Sequence, residues 1–225
     1  DKNGVTVRSV PAVHSIDGPV SFSLEWNGLK FVFGSDTFPN VWFNKYARDA
    51  DLVVHECFVA VPDIVKKLKF TPESALLVGT QIHTAPEAFG KVMSEIKPRM
   101  AVAYHFFKDF DTTAEVNDRI RKTYDGPLSL AEDFMVWNVT KDDIRVRMAV
   151  VNEETWSPPA GSPTEPPNMA DREQFSKDTG VPIEAIGYSD FIKGGKWDGV
   201  DEALRGVYKE ASEALGREFP YPEKQ

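Results

Sequence analysis

Four histidines are the residues best suited to chemistry in this chain: His14, His55, His83 and His105. Each falls where a regular element begins or ends. His14 closes an alternating stretch that starts at Val5, and His55 lies near the end of the apolar run DLVVHECF. His83 immediately precedes a helical segment, and His105 lies near the end of RMAVAYHFF. In layered α/β proteins the loops diverge around ligands at strand ends, so these rings have a route to convergence. A carboxylate joins them, Asp36 in FVFGSDT, where Gly34 lets the chain bend sharply after a strand. Zinc takes imidazole nitrogen and carboxylate oxygen, and with three protein ligands it keeps a position open to activate water. His14, Asp36 and His105 therefore offer part of a hydrolytic metal site. Plainer roles stand beside this one: a hydrogen-bonded structural histidine, or an aspartate closing an Asx turn or capping a helix.

The elements that must position these groups follow from periodicity and turn chemistry. Asn27-Gly28 tolerates positive φ and separates Ser21–Trp26 from Leu29–Phe33, which predicts a hairpin with a type I′ turn. Asp51–Phe58 and Arg99–Phe107 read as buried strands. Helices are predicted over Pro62–Lys69, Pro72–Gln81, Pro86–Ile96 and Thr112–Tyr124, with Thr84 and Glu87 spaced as a capping box for the third. Phe134–Val139 and Ile144–Val151 form a second hairpin around Thr140–Asp143. Strands and helices alternate in the middle with hairpins at both ends, which implies a layered α/β domain with mixed sheets. The Pro-rich run SPPAGSPTEPPN ends that pattern. We divide the chain into a main domain over 1–156, a linker over 157–170 and a helical, aromatic extension over 171–225. The extension holds too little apolar material for its own core and must lie on the main domain or on a neighbouring subunit.

Composition narrows the function classes. With 26 Lys and Arg against 35 Asp and Glu, the net charge of −9 repels phosphate backbones and argues against a nucleic-acid partner. A single Cys forms no intramolecular disulfide and fits a reducing, cytoplasmic setting; Cys57 itself reads as a small hydrophobe at a strand end, or less simply as a nucleophile. No apolar run approaches the roughly 20 residues that span a bilayer, so no membrane partner is expected.

The runs PAVHSIDGPVSFSLEWNGLKFVFGSDTFPN, DADLVVHECF, HTAPEAFG and RMAVAYHFF, in that order, resemble the second half of a metallo-β-lactamase superfamily hydrolase. The branch containing tRNA 3′-processing nucleases and arylsulfatases has the most similar order of motifs. The resemblance implies an αββα sandwich that here lacks its N-terminal portion, since the hallmark His-x-His-x-Asp-His motif is absent, followed by a C-terminal extension. It also implies that His14, Asp36 and His105 ligate Zn2+, although an inserted Ser35 separates Gly34 from Asp36. His55-Glu56 and His83-Thr84 would be the pairs that orient a ligand and supply a proton, with His55, Glu56 and His83 as the catalytic members.

The overall wording is most similar to bacterial chlorothalonil hydrolytic dehalogenases, which implies replacement of an aromatic chlorine by hydroxyl on a chlorinated nitrile. Phe38, Trp42, Phe43, Phe106, Phe107 and Phe110 flank the ligands and either line an apolar pocket for a small aromatic substrate or pack the core. Two other readings stay open: a phosphodiesterase, RNA-processing nuclease or arylsulfatase-like hydrolase of the same superfamily, and a non-catalytic remnant with a binding role. Relatives of this type are commonly dimers, so a homodimer buttressed by the extension is expected.

Overall fold

Asn27 (φ 52°) and Gly28 (φ 73°) both adopt left-handed backbone, the requirement of a type I′ turn. In the computed structural model, which describes residues 3–150, 177 and 189–222, this turn joins β2 (Val20–Trp26) to β3 (Leu29–Phe33), paired antiparallel with Trp26 opposite Leu29. β1 (Thr6–Pro11) adds antiparallel on the outer side of β2. β4 (Leu52–Glu56), β5 (Met100–Tyr104) and β6 (Leu128–Leu130) continue from β3 in parallel, giving a six-stranded sheet in the order β1-β2-β3-β4-β5-β6. β7 (Met135–Val139) and β8 (Ile144–Met148) pair as a separate hairpin. The fold is thus mixed α/β with a parallel-rich sheet, as the alternation of patterns implies.

Parallel strands need crossovers, and helices supply them. α1 (Val41–Ala47) joins β3 to β4. α2 (Val61–Leu68), α3 (Pro72–Leu77), a π-helix (Val78–Ile82) and α4 (Pro86–Ile96) join β4 to β5, and α5 (Phe110–Arg121) precedes β6. One sheet face, carrying Val32, Val53, Ala101 and Ala103, packs on Phe43 and Ala47 of α1, Phe89, Val92, Met93 and Ile96 of α4, and Val116 and Ile120 of α5. Gly90 permits the close approach of α4 to α5, because a Cβ there would lie 2.7 Å from the Ile120 carbonyl oxygen and 2.0 Å from Thr123 Oγ1.

Several local expectations need correction. Thr84 does not cap α4. The N-cap is Ala85, and the Thr84 hydroxyl instead donates to the Thr37 carbonyl, 2.6 Å away. The helix expected over Pro72–Gln81 is α-helical only to Leu77 and then widens into the π-helix. Asp109 caps α5 through the Thr112 amide, so the helix starts at Phe110, two residues before the start that apolar spacing suggests. Cys57, by contrast, is the small core hydrophobe that its place in the strand implies: it is fully buried, and burial drives its thiol pKa well up.

After a short helix α6 (Asp190–Lys193), the extension forms α7 (Asp201–Leu215), whose Leu204, Val207, Tyr208 and Ala211 are buried against this chain's own helices. Arg119 of α5 anchors it with paired contacts to Glu210, while also bonding Glu87 of α4 at 2.9 Å. The Pro-rich linker and nearly all of the predicted Asp171–Asp178 helix lie outside the described residues. No helix among the described residues is long and apolar enough to cross a membrane.

Candidate metal centre

The C-terminal ends of β3, β4 and β5 lie side by side, because these strands are neighbours in parallel register. The groups that follow them in sequence therefore share one edge of the sheet, the usual place for a ligand crevice in such sheets. Three side chains meet there: Asp36 after β3, His105 after β5, and His83, delivered by the end of the π-helix. One ligand atom from each lies within 4.8 Å of the others, a spacing a single cation can bridge. Asp36 Oδ2 and His105 Nε2 are 3.3 Å apart. His105 has φ of 78°, unusual for a residue with a Cβ and costing about 1–3 kcal/mol, and this turn carries the ring out of the strand direction.

Glu56 organises the centre from beneath. It is wholly buried at the end of β4, and its Oε2 lies 2.8 Å from His83 Nδ1 while its Oε1 accepts from the Thr37 amide. A carboxylate on one ring nitrogen leaves the other, Nε2, as the available donor, the arrangement common to metal-ligating histidines. Thr37 ties the surrounding segments together. Its hydroxyl accepts from the Val13 amide at 2.9 Å and from Asn40 Nδ2 at 3.1 Å, and its carbonyl accepts from Thr84. The segments bearing His14, Asp36, Glu56 and His83 thus hang on one threonine. Tyr104 adds a further brace, donating its hydroxyl to the Gly34 carbonyl at 3.0 Å.

Electrostatics follow from burial and pairing. The hydrogen bond from His105 holds the Asp36 carboxyl below its ordinary value, and the same bond raises His105. Burial pushes His83 down to about 4, which keeps its ring neutral near pH 7, and burial also lowers His14. Burial pushes Glu56 well up, against the Thr37 amide that favours its charged form.

The predicted site residues divide into three groups. Asp36 and His105 meet, but the third member is His83, for which the family resemblance implies a supporting role, and not His14. His14 does not join that triad. Its ring lies edge-on to His83 with centres 4.9 Å apart, and its Nδ1 is buried without a hydrogen-bond partner. His55 is a clear correction: adjacent strand residues face opposite ways, so with Glu56 turned to the centre His55 enters the helix-facing core. There it packs edge-on against Phe43 and Phe89 and hydrogen-bonds the Glu56 carbonyl through Nδ1 at 2.7 Å.

The aromatic set is also redistributed. Phe38 and Phe43 are core residues, Trp42 packs on Phe191, Phe106 and Phe107 lie half-buried against the cores, and Phe110 is 89% exposed. The ring that does lie at the centre is Phe58, stacked on His83 at 4.5 Å and tilted toward His105 at 5.4 Å. Its position three residues after His55, past the strand end, was the one available signal for it.

The donor set suits zinc: two imidazoles and a carboxylate within bridging distance, one imidazole backed by a buried carboxylate, and a third imidazole, His14, whose Nδ1 is buried nearby without a hydrogen-bond partner.

No known family profile matches the chain, and no curated protein matches it. Solved structures do. The metallo-β-lactamase fold protein YhfI from Bacillus subtilis is 14% identical over 59% of this chain and 48% of its own, with a TM-score of 0.45. Human tRNase Z, short form, is 20% identical over 60% of this chain and 43% of its own, with a TM-score of 0.41. Zn(2+)-bound PqqB from Methylobacterium extorquens is 14% identical over 58% of this chain and 49% of its own, with a TM-score of 0.40. The chain therefore spans just under half the length of each of these three proteins.

Proposed function

We propose that this chain carries the zinc site of a metallo-β-lactamase-type hydrolase and that its reaction is hydrolytic dehalogenation of a small chlorinated aromatic. The observation that carries the metal part is the meeting of Asp36, His83 and His105 around one point, with Glu56 fixing His83 from behind. Asp36 Oδ, His83 Nε2 and His105 Nε2 are the atoms offered to the ion. When bound, zinc supplies Lewis acidity that brings water deprotonation toward neutral pH. Glu56 keeps the His83 ring oriented, Thr37 fixes the turn bearing Asp36, and the Phe58 ring forms an apolar wall against which a flat substrate stacks. In the overall reaction a water oxygen forms a bond to a ring carbon made electron-poor by its nitriles. The carbon–chlorine electron pair leaves as chloride, and the water proton is released to solvent. The dehalogenase assignment rests on the sequence resemblance, and the net charge of −9 supports it over an RNA-processing role.

The test is zinc content by mass spectrometry on the purified chain, with chloride release from a chlorinated dinitrile and hydrolysis of bis-p-nitrophenyl phosphate measured in parallel. About one zinc per chain, lost in His105→Ala, with chloride release and no phosphodiester cleavage, is the expected result. Phosphodiester cleavage without chloride release would replace the dehalogenase by the nuclease-like reading, and a chain that retains no zinc would overturn the metal centre.

A further inference from the structure

We propose that Tyr208, on the C-terminal helix α7, is a positioning residue for His83, acting through the π-helix that ends beside that histidine. The inference builds on the metal reading above but rests on separate contacts. The π-helix is closed by the His83 amide donating to the Val78 carbonyl at 3.0 Å, a five-residue span rather than the four of an α-helix. Such turns are rare and are found frequently at functional sites. This one is held from two sides. On one, Gly79 lies so close to α2 that a Cβ would be 2.7 Å from Ile64 Cδ1. On the other, the Thr80 hydroxyl, 2.6 Å from the Leu76 carbonyl, is also hydrogen-bonded to the Tyr208 hydroxyl at 3.1 Å, and Gln81 interacts with the same hydroxyl.

Thr80 is wholly buried and Tyr208 is 6% exposed, so water does not readily replace that bond. Tyr208 is itself held: Tyr221 packs edge-on against its ring at 5.2 Å, and Glu210 fastens the helix to Arg119. A hydroxyl from a residue 128 positions away in sequence thus supports the turn that presents a ligand. If the turn rewound to α-helical spacing, the His83 backbone would advance by about 1.5 Å along the helix axis, enough to take its ring off the Asp36–His105 pair.

Tyr208→Phe keeps the ring and removes only the hydroxyl. In the metal-free chain, hydrogen exchange should quicken at the amides of residues 78–83 and stay unchanged elsewhere, with the thermal midpoint little altered. Titration with Co2+ should show about 10-fold weaker binding and a changed visible spectrum, the size of loss seen when the support of a metal ligand is removed. Thr80→Val, which removes the Leu76 bond together with the Tyr208 bond, should loosen the same amides at least as much as Tyr208→Phe. Unchanged exchange at 78–83 in Tyr208→Phe would overturn the proposal, as would loosening spread evenly over the chain. Failure of the wild-type chain to bind Co2+ through His105 would instead overturn the metal reading, and the exchange at 78–83 would still decide whether Tyr208 holds the turn.

Discussion

Replacing Glu56 separates two roles that its burial combines, and the two substitutions Glu56→Gln and Glu56→Ala should have opposite profiles. Glu56 accepts from two donors at once, the Thr37 amide and His83 Nδ1, in a place with no exposure to solvent. Alanine removes both acceptors. Each buried N–H left without a partner costs about 1–3 kcal/mol, so Glu56→Ala should destabilise the fold by about 2–6 kcal/mol, a large share of a typical 5–15 kcal/mol.

Glutamine preserves the shape but has one accepting oxygen. With that oxygen on the Thr37 amide, its NH2 group faces His83 Nδ1, which must then accept, and the ring proton moves to Nε2. A protonated Nε2 does not ligate a metal. Glu56→Gln should therefore remain within about 1 kcal/mol of wild type in urea unfolding. It should bind Co2+ about 10- to 100-fold more weakly, equivalent to about 1.4–2.7 kcal/mol. The assay is paired: urea denaturation monitored by tryptophan fluorescence, and Co2+ titration followed in the visible. A Glu56→Gln chain that unfolds as wild type and binds Co2+ with wild-type affinity would refute the proton-placement argument. A Glu56→Ala chain destabilised by less than about 1 kcal/mol would refute the claim that two buried donors depend on this carboxylate.

Three further outcomes follow from the packing. Arg119→Met leaves the Glu87 carboxylate buried without its guanidinium and frees α7 from α5, so unfolding free energy should fall by about 3–5 kcal/mol in a denaturant titration; a loss below about 1 kcal/mol would show that the cluster is not a buried ion pair in effect. Gly90→Ala drives a methyl against Thr123 and the Ile120 carbonyl and should cost about 1–3 kcal/mol by thermal unfolding, whereas a neutral result would mean that α4 and α5 part easily. Asp109 is held below the ordinary carboxylate range first by the Thr112 amide, and Glu210 first by Arg119. Their stabilising contributions are complete above the unfolded values near pH 4 and are lost as pH falls through the lower folded values, so Asp109→Asn with Glu210→Gln should flatten the acid limb of stability against pH relative to wild type. An unchanged limb would contradict those two assignments.

Much of the scaffold was legible because its signals are local. Asn27-Gly28 dictates a turn through backbone sterics alone, and the apolar runs around Val53 and Val102 suit strands buried on both faces. Asp36 and His105 were legible too, since each directly follows a strand that the pattern locates, and parallel neighbours bring such positions together. Choosing between His14 and His83 was not a local matter. His83 reaches the centre because a π-helix, braced by Tyr208 and by Ile64, adds one residue to the turn before it, and no periodicity in Pro72–Gln81 announces that.

The pair His55-Glu56 shows the same division within two residues. Sequence marks a strand ending in two titratable groups, while strand alternation sends one inward to the helices and the other toward the Asp36, His83 and His105 cluster. Which goes where is decided by the sheet face that α1 and α4 cover. Phe58, Thr37 and Tyr208 carry no signature as isolated residues. Their roles come from groups 25, 24 and 128 positions away, to His83, Val13 and Thr80 respectively, and contacts of that range exist only once the chain has closed on itself.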